Sequence, residues 1–228
     1  MDSIGPSAEP GGLLGLANAR VLCVAAHADD EVLGCGATLA RACEEGAEVR
    51  VLLPVRRSEV RSTANGELHL NQFVAAVRML GAEPVVPADM IPEHRAESDT
   101  MALHAVIEPE VIWSDVILTH WHGDAHQTHR AVARCVEIAT RPFRRRRHVL
   151  QYEVPSSTDQ TFRNTFAPNL YVRLEERHVA RKAEAMALYT TEQAPGRNPR
   201  SILRWAEFRG EQIGARFAES FVIARAFI

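Results

Sequence analysis

Short, nearly continuous apolar runs alternate with longer amphipathic stretches along this chain. Residues 20–26 (RVLCVAA) are apolar after the first position, as expected of a strand buried on both faces. Across residues 32–45, Leu33, Ala37, Leu39, Ala40 and Ala42 keep helical spacing until Gly46, a residue suited to ending a helix. Residues 48–55 predict a second strand, so this part of the chain reads as one strand–helix–strand unit. The alternation continues with a helix over 70–80 stopped at Gly81, a short strand over 84–87 and a helix over 100–107. A buried strand over 115–119, a helix over 126–140 and a strand over 148–153 follow. Strands over 169–174 and 221–227 flank helices over 175–189 and 201–216. Strands alternating with helices predict an α/β protein of three layers, α/β/α, around a mostly parallel sheet. In such sheets the ligand site lies beyond the carboxyl ends of the strands.

Composition narrows the class. The chain has 228 residues, 46% hydrophobic and 24% charged, with a formal net charge of −3. Those are ordinary values for a globular protein and do not suggest a nucleic-acid partner. Residues 1–16 are rich in Gly, Pro and Ser and predict a loosely ordered segment, followed by a single domain over 17–228. That segment has no Lys or Arg and no long apolar core, so it does not read as a secretory signal. No run approaches the roughly 20 apolar residues of a membrane span. No membrane partner and a cytoplasmic location are therefore expected. The four cysteines, Cys23, Cys35, Cys43 and Cys135, match no zinc-ribbon or Cys-x-x-Cys spacing, and no disulfide is expected. The arginine run at 144–147 reads as a solvated strand entrance.

Two polar clusters follow predicted strands. The first is Ala26-His27-Ala28-Asp29-Asp30-Glu31. His27 and Asp30, three apart, can converge on one metal and suit zinc, which accepts nitrogen and oxygen ligands. Asp29 beside them can take a proton from an attacking water. The same carboxylates would suit a helix N-terminus, where the dipole favours acids, and this cluster alone leaves both readings open. The second cluster places His120, His122, His126 and His129 within ten residues. Four histidines together point to metal or acid–base work, and His126 and His129 share a face if the helix has begun. Spacing does not say which of them binds metal. Other chemistries fit poorly. No Gly-x-Ser-x-Gly elbow or phosphate-binding GxxxxGK[ST] loop is present. Gly34-Cys35-Gly36 only faintly suggests a dinucleotide fingerprint, because Leu39 stands at the third glycine and two aspartates would repel a pyrophosphate.

These motifs resemble the LmbE-like deacetylase family, which includes the N-acetylglucosaminyl-phosphatidylinositol de-N-acetylases and the deacetylases of mycothiol, bacillithiol and antibiotic biosynthesis. The family's first motif, Ala/Pro-His-Pro-Asp-Asp-Glu then Val-Leu-Gly-Cys-Gly-Gly-Thr-Leu, reads AHADDEVLGCGATLAR over residues 26–41. The second, His-x-Asp-His-Arg or close to it, reads HQTHRAV over 126–132. The segments YEVPSST, FAPNLYV, WAEFRG and GARFAESF are also similar, so the resemblance covers nearly all of the chain from residue 19. It implies a Rossmann-like fold and one zinc per chain, with other divalent metals admissible. By motif position the ligands would be His27, Asp30 and His129, and Asp29 the general base. His126 would stabilise the oxyanion or protonate the leaving amine, and Asp124 is a candidate to orient His126. Four positions depart from the pattern. Ala28 replaces a proline and Thr128 an aspartate. His69 and Gln72 stand where the family often has Arg-x-x-Glu, which argues against a mycothiol-type or phosphoinositide substrate.

The implied activity is zinc-dependent removal of an N-acetyl group from a small amino-sugar-like molecule, in natural-product (antibiotic) biosynthesis. The same site would serve an amidase acting on a larger amide or thiol conjugate. A non-catalytic metal- or sugar-binding protein is a third reading, disfavoured because His27, Asp29, Asp30, His126 and His129 are all present. Arg56, Arg57 and Arg61 follow the second strand and are candidates to hold hydroxyl, carboxylate or phosphate groups. Trp121 and His122 are candidates for the pocket mouth. The resemblance also suggests a homo-oligomer.

Overall fold

The computed structural model describes residues 18–57, 66–162 and 165–227. The expected N-terminal segment and Arg61 lie outside the described residues. In chain order the elements are β1 (Arg20–Val24), α1 (Asp30–Glu44), β2 (Glu48–Leu52), β3 (Val55–Arg56) and α2 (Gly66–Met79). Next come β4 (Glu83–Val85), β5 (Ile91–Pro92), α3 (Thr100–Trp113), β6 (Val116–His120) and α4 (Gln127–Ala139). The last are β7 (His148–Tyr152), β8 (Leu170–Leu174), α5 (Glu176–Leu188), α6 (Pro199–Glu211) and β9 (Phe217–Arg225). No helix among the described residues is long and apolar enough to cross a membrane.

Seven strands form one sheet in the order β4-β2-β1-β6-β7-β9-β8. The first five are parallel, and only β9 runs against the rest. Strands β3 and β5 pair separately as a short parallel ribbon. The chain builds outward from β1 through β2 to β4, then returns to lay β6 on the other side of β1. Such a reversal opens a crevice beyond the carboxyl ends of the two central strands. Side chains of β1 alternate between the layers, as a strand requires. Val21 and Cys23 pack with Leu33, Phe73 and Met186 of α1, α2 and α5. Leu22 and Val24 pack with Leu103 and Val136 of α3 and α4.

Element bounds differ from expectation where local geometry intervenes. Helix α3 runs past residue 107 through Pro109. The hydrogen bond that Pro109 cannot make would go to Ala105, which is exposed, so water can serve that carbonyl. Helix α6 ends at Glu211, short of 216. Gly214 adopts φ 68° and the Ala215 N–H returns to the Gly210 carbonyl at 2.9 Å, a glycine-closed helix end. Half of the arginine run at 144–147 is not simply solvated. Arg145 pairs with Glu108 at 2.8 Å, and Arg147 donates to the Val111 and Ile112 carbonyls, sealing the end of α3 where cations are favoured.

Helix α1 is broken at Cys35 (φ −145°, ψ 16°), and buried charges repair the break. Glu219 of β9 accepts the Ala37 and Thr38 N–H groups at 3.1 and 2.7 Å, while Lys182 of α5 donates to the Leu33 carbonyl at 2.9 Å. Lys182 and Glu219 also pair with each other at 2.6 Å, both buried. Replacing Lys182 with methionine strands the Glu219 charge, and should lower unfolding stability by about 3–5 kcal/mol, measured by denaturant titration. Glu219→Gln with Lys182→Met should recover part of that loss.

Candidate active site

Both polar motifs meet at the reversal of strand order. The first lies just past β1 and turns sharply. Asp29 has φ 113°, a left-handed conformation costly for any residue but glycine. The turn is held by Leu33 N–H on the Asp29 carbonyl (2.9 Å) and by the Asp29 N–H on Glu31 Oε2 (3.1 Å). It brings His27 and Asp30 together. His27 Nδ1 lies 3.2 Å from Asp30 Oδ2, which also accepts the His27 backbone N–H at 2.7 Å. From the first turn of α4, His129 Nε2 lies 3.2 Å from His27 Nδ1 and 3.3 Å from Asp30 Oδ2. Three donor atoms thus form a nearly equilateral triangle. Tetrahedral zinc, with bonds of about 2.0–2.1 Å, holds its ligands about 3.3 Å apart, so the residues present fit that ion.

The second nitrogen of each imidazole rests on a buried carboxylate. His27 Nε2 lies 3.3 Å from Glu93 Oε1, and His129 Nδ1 lies 3.2 Å from Asp124 Oδ1. Carboxylates placed this way set the tautomer and direction of metal-binding histidines. Burial opposes a proton on His129, but Asp30 and Asp124 outweigh it and push its pKa up to about 9. His27 is raised in the same way, against burial, by Asp30 and Glu93. Asp30, which burial would raise, is instead held well below the usual carboxylate range, chiefly by His129 and His120. The carboxylates demand positive charge at this point, and protons or a cation can supply it. Cation binding must therefore displace protons.

His120 offers an alternative corner, since one atom each from Asp30, His120 and His129 lie within 4.8 Å of one another. Its Nε2, however, accepts the Ala26 N–H at 2.9 Å, so its lone pair is already committed. The fully buried ring stacks on His129, with centroids 4.0 Å apart, and braces the backbone ahead of His27. His126 is the N-cap of α4. Its Nδ1 accepts the Thr128 N–H at 3.3 Å, which leaves the proton on Nε2. Its ring lies 4.6 Å from His27 and 4.8 Å from His129. Asp29 is fully buried; Arg197 holds its Oδ2, while Oδ1 has no hydrogen-bond partner. Burial, then the Asp30 charge, push the Asp29 pKa up to about 7 against the pull of Arg197.

The triangle opens into a cavity of about 180 Å³ whose walls include Arg57, His69, Glu93, His126, Glu192 and Arg197. The expected site residues divide around it. His27, Asp30, His126, His129 and Arg57 line it. Arg56 borders a neighbouring hollow of about 100 Å³. Trp121 does not reach the mouth: it is 4% exposed and packs edge-on against Phe166. Its ring lies so close to Gly123 that a Cβ there would fall 2.5 Å from it. His122 bonds Gln151 at 2.9 Å and faces a larger cavity of about 530 Å³ between α4 and the β7–β9 strands, away from the triangle. Asp124 reaches His129 as well as the expected His126. Its carboxylate faces the His129 ring and meets His126 only at the backbone N–H (2.7 Å). Ser157 and Thr158 fix it with bonds of 2.5 and 2.6 Å. This supplies the carboxylate that Thr128 lacks. Asp124→Ala should weaken zinc affinity about 10–100-fold, read by competition with a chromophoric chelator, and should also lower thermal stability, because the Ser157 and Thr158 hydroxyls and the His126 N–H lose their buried acceptor.

Sequence reasoning missed Glu93, Glu192 and Arg197. Glu93 follows a two-residue strand, and the other two lie on the α5–α6 connection, where no nearby residue suggests chemistry. The Pro195-Gly196 pair signals a turn there, but not what the turn presents.

The sequence profile described as GlcNAc-PI de-N-acetylase, PIG-L, matches residues 22–140, just over half of the 228 residues. The Escherichia coli K12 protein named uncharacterized deacetylase YaiS is 28% identical over 184 residues, covering 76% of this chain and 93% of its own. Among solved structures, the A40926 pseudoaglycone deacetylase Dbv21 matches with a TM-score of 0.70 at 20% identity, over 92% of this chain and 100% of that one. GalB, the 4-carboxy-2-hydroxymuconate hydratase from Pseudomonas putida KT2440, matches with a TM-score of 0.69 at 16% identity, over 92% and 98%. At these identities the structural likeness is one of fold.

Proposed function

We propose that this chain, which belongs to the GlcNAc-PI de-N-acetylase family, is a zinc-dependent hydrolase that removes the N-acetyl group from a small amino-sugar-like molecule. The observation that carries this reading is the triangle of His27 Nδ1, Asp30 Oδ2 and His129 Nε2, with Asp29 next to Asp30 in the chain and its buried Oδ1 without a hydrogen-bond partner. A divalent cation held by those three residues supplies Lewis acidity toward the amide carbonyl, and zinc suits the donor set.

The remaining steps fall to the chain's own groups. Asp29 Oδ1 accepts the proton of the attacking water, and burial raises its proton affinity above that of an ordinary carboxylate, which suits a general base. His126, with its proton on Nε2, donates to the carbonyl oxygen as negative charge develops there. The proton collected by Asp29 then leaves with the amine, so that the base of the first step is the acid of the second. Arg57, His69, Glu192, Ser156 and Ser157 offer donors and acceptors to substrate hydroxyls, and Ala28 and Val154 are the apolar lining among the described residues. About 180 Å³ is well below the roughly 300–1,000 Å³ of drug-sized sites, which favours a small polar substrate over a bulky thiol conjugate. The fold likeness to an antibiotic-pseudoaglycone deacetylase supports a natural-product setting.

The fold likeness to a hydratase raises a second reading, addition of water to an unsaturated acid. Against it, both arginines of the cavity are already paired, Arg57 with Glu192 at 2.5 Å and Arg197 with Asp29. The test is acetate and primary-amine release from a panel of N-acetylated amino sugars and acetylated aminoglycoside precursors, using zinc-loaded protein. Release that disappears on chelation and in Asp29→Ala supports the proposal. A protein that binds one zinc yet releases acetate from no member of the panel overturns it.

A further inference from the structure

The α5–α6 connection is seated on the site by polar contacts. The Tyr189 hydroxyl donates to Glu31 Oε1 at 2.5 Å, and Glu31 in turn accepts the Asp29 N–H. Gln72 donates to Thr190 Oγ1 (2.7 Å) and accepts from the Thr191 hydroxyl (2.8 Å). Glu192 accepts from Arg57. The chain then reverses through Ala194-Pro195-Gly196-Arg197, closed by mutual backbone bonds of Ala194 and Arg197 at 3.2 and 2.9 Å. Gly196 has φ 84°, as a Pro-Gly type II turn requires. Asn198 caps α6 at once, accepting the Ser201 N–H at 3.0 Å. Arg197 therefore stands between a closed turn and a capped helix, with little backbone freedom.

From that mount Arg197 grips Oδ2 of Asp29 and lies 3.8 Å from Glu192 Oε2. Asp29 is fully buried and its Oδ1 has no partner. A carboxylate held at one oxygen presents the other in a fixed direction. We infer that Arg197 is a positioning residue for the base: by clamping Oδ2 it fixes the carboxylate plane of Asp29, so that Oδ1 alone receives the proton of the attacking water. This rests on the reading of Asp29 as the base. Without the clamp, the carboxylate loses its fixed plane, and a misplacement of about 1 Å can cost roughly 100-fold in rate.

The experiment uses the full-length zinc protein, with N-acetylglucosamine and the best acetamide of the panel as probes. Arg197→Ala should lower kcat about 100-fold while leaving KM within about threefold, because the interaction serves the reacting geometry rather than ground-state binding. Zinc stoichiometry and the visible spectrum of the cobalt-substituted protein should match wild type. Added guanidinium should restore kcat in the alanine variant and leave wild type unaffected. Arg197→Lys, which keeps the charge with fewer donor directions, should fall between the two. A kcat within threefold of wild type for Arg197→Ala overturns the inference. So does a rise in KM at constant kcat, which would make Arg197 a substrate contact, or a loss of kcat that guanidinium does not restore. Wild-type protein that releases no amine overturns the deacetylase reading itself, and is distinguished by the absence of any rate to compare.

Discussion

Asparagine at position 29 is expected to keep the metal, lose turnover and stabilise the metal-free fold. Loss of a positioned general base should lower kcat by about 10²–10⁴, while zinc content stays at the wild-type level because no corner of the triangle is touched. In wild type, a base with a pKa of about 7 is protonated in acid and cannot accept a second proton. The rate constant kcat/KM should therefore fall on the acid side, about tenfold per pH unit once well below that pKa. A seated cation draws this limb to lower pH, since nearby positive charge favours the carboxylate. The stability effect has a definite sign. Burial raises the folded-state pKa of Asp29 above its ordinary 3.8, so the folded chain binds this proton more tightly than the unfolded one. The metal-free fold accordingly loses stability as pH rises from about 4 to about 7, and stays lower above that window. Asparagine carries no charge to bury. Calorimetry of the metal-free proteins at pH 8 should give Asp29→Asn the higher melting temperature, with the gap closing toward pH 4. A variant that melts lower at pH 8, or that keeps its kcat, contradicts this account of the residue.

What could be read from sequence is local. The alternation of β1, α1 and β2 follows from apolar periodicity and a glycine stop, and it carried the α/β architecture. His27 and Asp30 share one turn, and His126 and His129 share another, so each half of the triangle was already a sequence neighbourhood. That β1 and β6 lie side by side, bringing the halves together, follows from strand order. Glu93, Glu192 and Arg197 were not legible, because they reach the site through tertiary paths. Glu93 is delivered by the short β3–β5 ribbon, and Arg197 by a turn 168 positions from the aspartate it holds. Asp124 reaches His129 in addition to the expected His126 for a geometric reason. Helix α4 begins at Gln127, so its first turn carries His129 back over the loop that bears Asp124. Trp121 failed because Gly123 lets the indole fold inward.

His129→Ala should abolish both zinc binding and turnover, and should do so more completely than any other single histidine change. His129 belongs to both groups of converging donors, with His27 and His126 on one side and with Asp30 and His120 on the other. Zinc at about 100 times its dissociation constant stabilises a folded protein by about 2.7 kcal/mol. For a chain of this size, that is a rise of roughly 5–10 °C in melting temperature. Wild type should show that rise and His129→Ala none. The metal-free proteins should differ in a pH-dependent way. Asp30 and Asp124 raise the His129 pKa from 6.5 to about 9. The proton on His129 therefore contributes stability that is fully present below about pH 6.5 and lost as pH rises through about 9. The metal-free alanine variant should be less stable than wild type in that lower range, the difference shrinking above pH 9. The same proton competes with the ion, so zinc affinity in wild type should strengthen with pH up to about 9, with proton release visible as buffer-dependent heats in titration calorimetry. Two further substitutions separate the candidate groups. If the cation sits on the triangle, His27→Ala should lose zinc, while His120→Ala should retain it with some loss of stability, because the Ala26 N–H forfeits its acceptor. The opposite pattern would move the cation to the buried side of Asp30, and the base would then have to be sought elsewhere than Asp29.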